Sequence, residues 1–249
     1  MCIRDSNNTG IDPWFLNEIA EIVYLENHHN CLEDLELLKK NGFSDIQIGA
    51  LTDRTAEEIR QIRKERNLKP VYKVVDTCAG EFTAETPYSY STYESTHDIT
   101  PLDGPKVMIL GGGPNRIGQG IEFDYCCVQA VYGLREAGYK SIMVNCNPET
   151  VSTDFDLADR LYFEPITFED IMNIIEFEKP DGVLVQFGGQ TPLKIAEQLT
   201  NEGVKIFGTS SASIDLAENR EEFARIIKKL KIQIPEYCIA KNYEEIINF

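Results

Sequence analysis

The sequence is short of basic residues. Its 249 residues include 24 lysines and arginines against 41 aspartates and glutamates, a formal net charge of −17 at pH 7. Because a nucleic-acid backbone is held by clustered Lys and Arg, this charge argues against a general nucleic-acid binder. No run approaches the roughly 18 consecutive apolar residues of a membrane span, and no charged and then apolar leader opens the chain. We therefore expect an acidic cytoplasmic protein with no nucleic-acid and no membrane partner.

Histidine is scarce as well, and the cysteines lack the spacing of a metal site. None of the three histidines, His28, His29 and His97, has a cysteine or carboxylate at zinc-ligand spacing. The seven cysteines are odd in number and contain no C-x-x-C pair, and two of them, Cys126 and Cys127, are adjacent. This usage predicts a reducing compartment and no metal site.

The first six residues, MCIRDS, look like the translation of a transposase end used in sequencing libraries. We interpret residues 1–6 as a sequencing artefact and leave them out of the prediction of the fold.

Residues 7–76 carry the start and stop signals of four helices. Asp12-Pro13 opens the first, Asn41-Gly42 ends the second, Ser44 begins the third, and Thr55 with Glu58 forms a capping box for the fourth. The first helix has an apolar face typical of a helix docked on others, formed by Trp14, Phe15, Ile19, Ile22 and Val23. The fourth is expected to carry a solvated basic face, formed by Arg60, Arg63, Lys64 and Arg66. These signals predict a small all-helical domain.

The next segment has no clear periodicity. A short strand is predicted at 71–75, and residues 77–105 are rich in Thr, Ser, Tyr and Pro. We predict an extended linker on the surface of a neighbouring domain, with packed tyrosine rings and hydroxyls in water at Tyr88, Tyr90 and Tyr93. An aromatic platform for nucleic acid is the alternative, and the acidic charge argues against it.

A strand, a glycine-rich loop and a helix follow one another in residues 106–137. The apolar strand 106–110 stops at Gly111-Gly112-Gly113, and a helix begins near Phe123. Glycines let a backbone approach a ligand closely, and the first N–H groups of a helix attract anions. We therefore expect a small anionic substrate or a phosphate, faced by the amides of Gly112 and Gly113.

A dinucleotide is the obvious alternative guest, and two features argue against it. The third glycine of G-x-G-x-x-G would fall at Arg116, and the next strand, 141–145, ends without the acidic residue that binds a ribose. A nicotinamide or flavin cofactor is therefore disfavoured. A glycine turn used for packing alone is the other alternative.

Further strands are predicted at 141–145, 160–163, 182–186 and 204–207, alternating with helices. Polar loops follow the first and third of these, at 146–154 and 188–190, so that three loops gather where open α/β sheets bind ligands. The pattern predicts a Rossmann-like parallel sheet over 106–208. Residues 209–249 are expected to begin a further domain that is cut off, with a helix that starts at Asn219, a strand over 237–240 and another helix from Asn242.

Five motifs, in order and at regular spacing, resemble the large subunit of carbamoyl phosphate synthetase at the junction of its two homologous halves. They are GGGPNRIGQGIEFDY, VNCNPETVSTD, DRLYFEP, VQFGGQTPL and GTS. The resemblance implies an α plus α/β architecture: an oligomerisation domain at 7–76, the pre-ATP-grasp domain of the second synthetic half at 106–208, and the truncated start of an ATP-grasp domain at 209–249.

The family's reaction is implied by this resemblance only. One ATP phosphorylates bicarbonate, ammonia released from glutamine by a small amidotransferase subunit converts it to carbamate, and a second ATP phosphorylates the carbamate, for arginine and pyrimidine synthesis. Magnesium accompanies each ATP, and the residues that clamp the phosphates lie in the ATP-grasp domain beyond Phe249. We therefore expect no catalytic residue and no cofactor or metal site within this chain, and no activity from it alone.

The resemblance also implies a role for the glycine loop and the loop after it. Glu122 and Glu149 match glutamates on the route by which carbamate travels between the halves, and the predicted passage further includes Gly112, Gly113, Arg116 and Asn147. Carboxylates repel an anion, so they suit neutral carbamic acid or a pairing with arginines such as Arg116. The structural alternative is that both glutamates cap nearby backbone donors.

Two other function classes stay open on the sequence. A stand-alone oligomerisation or binding module is compatible with the helical domain, and a nicotinamide-dependent oxidoreductase is the less favoured candidate. Neither accounts for the five ordered motifs.

Overall fold

The computed structural model describes residues 2–28, 32–114, 121–235, 240, 242–243 and 247. Its helices α1 to α11 span Cys2–Thr9, Pro13–His28, Leu35–Lys40, Asp45–Thr52, Ala56–Glu65, Glu122–Glu136, Phe168–Glu178, Gln190–Leu193, Ala196–Asn201, Ser211–Glu218 and Arg220–Lys229. Strands β1 to β6 span Val71–Val74, Tyr88–Thr92, Lys106–Leu110, Lys140–Val144, Arg160–Tyr162 and Gly182–Leu184, with a 3-10 turn at Val151–Thr153. Within these ranges, no helix has the length and apolar character needed to cross a bilayer.

The strands form one six-stranded sheet in the order β1-β2-β5-β4-β3-β6. β1 and β2 are antiparallel, and every other neighbouring pair is parallel. All five residues of β3 are buried, because α7 and α9 pack on one face of the sheet and α6 on the other. A helical unit followed by a covered, mostly parallel sheet confirms the predicted fold class.

The segment 77–105 differs from the expected linker. Its middle part is β2, which lies inside the sheet between β1 and β5, so the sheet begins with β1 well before Lys106. Tyr88 packs on Phe163, with ring centroids 5.1 Å apart, and the Tyr93 hydroxyl accepts a hydrogen bond of 3.4 Å from Arg63 instead of facing water. The polar sequence of β2 is compatible with a strand because much of it lies only partly buried.

The carboxyl-terminal part of the sheet is shorter than predicted. In place of a fifth parallel strand over 204–207, the structure has a single parallel bridge between Val183 and Ile206. The helix predicted after Asn219 is present as α11, and the Asn219 side chain accepts from the amides of Glu221 and Glu222. A strand expected over 237–240 and a helix expected from Asn242 lie largely outside the described residues.

The helical unit has its own small core. Six residues from α2 to α5 and their connections are buried together: Leu25, Leu35, Leu38, Phe43, Ile48 and Ile59. The predicted caps are confirmed at Thr55, which exchanges two hydrogen bonds with Glu58, and Ser44 forms a second capping box with Gln47. The expected docking of α2 through its apolar face is wrong for the described structure: Trp14 is 60% exposed and Ile19 54% exposed. That helix reaches the core only near its carboxyl end.

Half of the expected solvated basic face is wrong: Arg60 and Arg63 are buried, whereas Lys64 and Arg66 are exposed. Arg63 is buried and binds Asp45 through two hydrogen bonds of 2.6 and 2.7 Å. Arg60 is buried as well and pairs with Glu176 of α7 at 2.9 Å and with Glu202 after α9 at 3.0 Å. The Arg60 pairs join the helical unit to the helices that cover the sheet, and the Arg63–Asp45 pair joins α5 to α4.

Candidate functional site

Three loops lie side by side at the carboxyl edge of the sheet. The glycine loop (111–120) follows β3, the second loop (145–154) follows β4, and the third loop (185–189) follows β6. β3 pairs in parallel with both β4 and β6, so the three strands end at the same edge. The glycine loop is described over residues 111–114 only, which leaves the predicted passage residue Arg116 outside the described residues.

Glycines allow the glycine loop and the third loop to touch through their backbones. A Cβ atom on Gly188 would lie 2.5 Å from the carbonyl oxygens of Leu110 and Gly111. A Cβ atom on Gly112 would lie 3.1 Å from the carbonyl oxygen of Gly188. Close packing thus leaves no room for a side chain at Gly188, while a side chain at Gly112 would require the third loop to shift slightly.

Gly113 has a different reason to be glycine. Its φ angle is +74°, in the left-handed region that favours glycine. Its N–H group donates to Oδ1 of Asn145 over 3.1 Å. The expectation that this amide faces a ligand is therefore wrong, because its hydrogen bond is made inside the protein.

Asn145, the first residue after β4, is completely buried and connects the loops. Its Oδ1 atom accepts from the amides of Gly113 at 3.1 Å and Asn147 at 3.3 Å. Its Nδ2 atom donates to Oδ1 of Asp124 and to Oγ of Ser152, each over 3.1 Å. A side-chain amide has two donor hydrogens and two acceptor lone pairs, and all four are used here.

Asp124 is a buried carboxylate in the first turn of α6. It accepts from Asn145 and, over 2.9 Å, from the hydroxyl of Ser152. No described lysine or arginine forms an ion pair with it. The positive end of the helix dipole and these neutral donors are what the described structure offers to this charge.

The second loop places Glu149 through Asn147. The amide of Glu149 donates to Oδ1 of Asn147 over 3.0 Å, and the hydroxyl of Thr153 donates to the Asn147 carbonyl over 3.2 Å. Glu149 itself is exposed. The predicted passage residues Asn147 and Glu149 are thus held in one short turn.

Glu122 is the first residue of α6 and is also exposed. The hydrogen bonds and ion pairs of the described residues include none made by the carboxylate of Glu122 or Glu149. The capping alternative for these two glutamates therefore has no support in the part of the chain that is described. Both residues lie at the sheet edge: the Glu149 amide is bound to the Asn145 network through Asn147, and Glu122 shares the first turn of α6 with Asp124.

Two further acids, Glu164, which is buried, and Asp170, which is partly buried, were missed by the sequence analysis. Glu164 follows β5 and accepts a hydrogen bond from the amide of Ser91, while burial raises its pKa to about 7. Burial also raises the pKa of Asp170, near the start of α7, to about 6. The motif DRLYFEP contains Glu164, but its sequence did not indicate that this glutamate is buried.

Metal chemistry has no visible ligand set here. Among the described residues, no group of three or more His, Cys, Asp or Glu side chains could hold an ion. Cys78, Cys126, Cys127 and Cys146 are free thiols. Burial raises the pKa of the Cys146 thiol, which lies beside Gly113, so this cysteine favours its protonated form.

Sequence patterns pointed to the loops but not to the residues that join them. Asn145 was visible only as the end of a strand, and Asp124 and Ser152 were unremarked parts of larger motifs. A polar residue directly after a buried strand is the one signal that was available for Asn145.

Similarity to known proteins identifies the family of this chain. Residues 103–216 match the family described as "Carbamoyl phosphate synthase preATP-grasp domain", and residues 6–67 match "Carbamoyl-phosphate synthetase large chain, oligomerisation domain". The chain is 55% identical over 248 residues to the carbamoyl phosphate synthase large chain of Archaeoglobus fulgidus. The chain belongs to the carbamoyl phosphate synthase large-chain family. It also shares 57% identity over 244 residues with the large chain of Pasteurella multocida.

The match covers a segment of those relatives. Each alignment includes 95% of this chain and 23% of the carbamoyl phosphate synthase large chain that it matches. Among solved structures, N5-carboxyaminoimidazole ribonucleotide synthetase from Thermotoga maritima is similar with a TM-score of 0.41 and 19% identity, over 58% of this chain and 36% of that one.

Proposed function

We propose that this chain is part of a glutamine-hydrolysing carbamoyl phosphate synthetase. The whole protein would be a cytoplasmic ligase that makes carbamoyl phosphate from bicarbonate, ammonia released from glutamine and two ATP, for arginine and pyrimidine synthesis. The identity of 55–57% to carbamoyl phosphate synthase large chains supports this proposal. ATP and Mg²⁺ would bind outside the present segment, which would be inactive alone.

Within that enzyme, the segment would form a wall of the carbamate passage. The observation that carries this proposal is that Glu122 and Glu149 are both exposed at one sheet edge, Glu149 bound to the buried Asn145 network through Asn147 and Glu122 in the same helical turn as Asp124. A carboxylate can accept a hydrogen bond from neutral carbamic acid, whereas it would repel the carbamate anion. Gly112 and Asn147 would shape the wall, and Arg116 would supply a cation.

The test is the replacement of each glutamate in the whole protein. Glu122→Gln and Glu149→Gln keep the size of the side chain and remove its charge. We expect both variants to hydrolyse more ATP for each carbamoyl phosphate formed. Glu136→Gln, at the exposed far end of α6, is the matched control and should keep the normal ratio. A normal ratio in both test variants would remove the carboxylates from the passage.

The helical unit would associate with other large subunits, and the whole protein with the small amidotransferase subunit. The match of residues 6–67 to an oligomerisation domain supports the first association, and the exposed apolar face of α2 is compatible with it. A stand-alone oligomerisation module is the second candidate on the same observation. Sedimentation of residues 7–249 would show whether this segment self-associates by itself.

A further inference from the structure

We propose that Asn145 is the positioning residue of the passage, acting with Asp124 and Ser152 to set the places of Glu122 and Glu149. This inference rests on the proposed function of those two glutamates. Its starting observation is that one buried amide binds the glycine loop, the first turn of α6 and the second loop at once. Nothing in the sequence motifs alone assigned a role to this side chain.

The network demands an amide at residue 145. Aspartate has no donor for Asp124 and would bring two carboxylates to the 3.1 Å that now separates Nδ2 from Oδ1. An apolar side chain would leave the Gly113 amide without its acceptor. The glycine loop is also fitted to the amide, because a Cβ atom on Gly111 would lie 2.7 Å from Cγ and Nδ2 of Asn145.

Each glutamate is linked to the Asn145 amide through one intervening residue. Glu122 lies in the same first turn of α6 as Asp124, whose carboxylate Asn145 holds. Glu149 is bound through its amide to Asn147, whose own amide is bound to Asn145. A change at residue 145 should therefore shift both glutamates, although Asn145 is buried and does not line the passage.

The decisive variants reverse the direction of one hydrogen bond. Asn145→Asp alone opposes two carboxylates, whereas Asp124→Asn alone keeps an oxygen that accepts from Asn145 and Ser152 and removes only the charge. The double variant again pairs a carboxylate with an amide. Asp at 145 still accepts from Gly113 and Asn147, and Asn at 124 donates to it; the Ser152 hydroxyl can donate to the new carboxylate and accept from the new amide.

The readout is the ATP hydrolysed per carbamoyl phosphate formed by the whole protein, measured with its thermal midpoint. We expect Asn145→Asp to raise the ratio roughly tenfold, within the roughly hundredfold that a misplacement of about 1 Å can cost. Asp124→Asn keeps the acceptor oxygen and should change the ratio little, and the double variant should reverse most of the increase caused by Asn145→Asp. Ser152→Ala should raise the ratio to a smaller extent. Ser141→Ala is the matched control: this buried serine of β4 also binds an aspartate, Asp159 at 3.1 Å, at the opposite end of the strand.

The outcomes separate this inference from the proposed function. If Glu149→Gln raises the ratio but Asn145→Asp and Ser152→Ala do not, the positioning role is overturned and the passage stands. If neither glutamate variant changes the ratio, the passage fails and the positioning role fails with it. A double variant as impaired as the worse single variant also overturns the inference. Should Asn145→Asp fail to fold, Ser152→Ala against Ser141→Ala gives the answer.

Discussion

Glu164 carries its own dependence on pH. Burial raises its pKa from 4.5 to about 7, so the folded protein binds this proton more tightly than the unfolded chain does. Its contribution to stability is therefore full below about pH 4.5 and is lost as the pH rises through 7. A shift of this size corresponds to about 3 kcal/mol. Asp170, with a pKa raised to about 6, acts in the same direction.

We expect Glu164→Gln to remove the Glu164 part of this dependence. The glutamine oxygen can still accept from the Ser91 amide, and no charge has to be buried at high pH. The variant should match the wild type at pH 5 and exceed its free energy of unfolding by about 1–3 kcal/mol at pH 8. Urea unfolding at the two pH values measures this difference. With the exposed Glu136→Gln as control, an equal gain at both pH values would show that Glu164 does not titrate in this range.

Single residues also show where sequence reasoning stops. The glycine run after β3 and the capping box at Thr55 were predicted because each depends on neighbours within a few positions. The bonds of Asn145 were not, because its partner Gly113 is 32 residues away in the sequence. Which residues become hydrogen-bond partners of Asn145 depends on which strands are neighbours, and the order of strands is a property of the whole sheet.

At the scale of elements, the contact of α5 with α4 and α7 depends on buried charge. Arg63 binds Asp45 in two places, lies 3.4 Å from Glu169, and both partners of the main pair are almost fully buried. Removing the guanidinium would leave the buried Asp45 carboxylate with Lys39, 3.5 Å away, as its remaining cation and without its two shortest hydrogen bonds. We therefore expect Arg63→Ala to lower the free energy of unfolding by about 3–5 kcal/mol.

A neighbouring basic residue gives the control. Lys64 pairs with Glu176 at 3.0 Å, but its side chain is 40% exposed. Solvent screens such a pair, so Lys64→Ala should cost less than about 1 kcal/mol. Denaturant unfolding of the two variants checks both values. If both variants lose the same small free energy of unfolding, Arg63 is solvated, as the helical periodicity suggested.

That periodicity was misleading because it reports only which residues share a face. The basic side chains of α5 do alternate with Ile59 and Ile62 as the pattern says. The sequence carries no mark that helices of the α/β unit cover this face and offer Glu169, Glu176 and Glu202 to it. Buried arginines and solvated arginines have the same spacing.

The loop contacts make a prediction for two glycines. Gly188→Ala would place a methyl group 2.5 Å from two carbonyl oxygens, so the third loop and the glycine loop must separate. We expect a loss of about 1–3 kcal/mol in the free energy of unfolding. Gly133→Ala lies in α6 with no atom within 4 Å of the added methyl group, and should gain up to about 1 kcal/mol from helix propensity. Thermal unfolding of both variants would show opposite shifts, and a neutral Gly188→Ala would mean that the loops are not in contact.

At the scale of the whole molecule, α2 leaves a large apolar surface uncovered. Trp14, Phe15 and Ile19 are all more than half exposed, and an exposed apolar patch is typical of an interaction surface. If the helical unit associates through this face, Ile19→Glu should lower the sedimentation coefficient at a given concentration. Asn17→Glu, which adds the same charge on the face of the helix opposite Ile19, is the control. Identical sedimentation of the Ile19→Glu variant and the wild type would move the contact elsewhere.

The position of β2 within the sheet governs how this region can be divided. A protein shortened to begin at Lys106 would lose β1 and β2, and β5 would become an unpaired edge strand. The exposed N–H and C=O groups of Arg160–Tyr162 would then offer a template on which another molecule could add a strand. The segment before Lys106 therefore protects the sheet from aggregation through an open edge strand, besides connecting the two units. A protein that contains the α/β unit should include this segment.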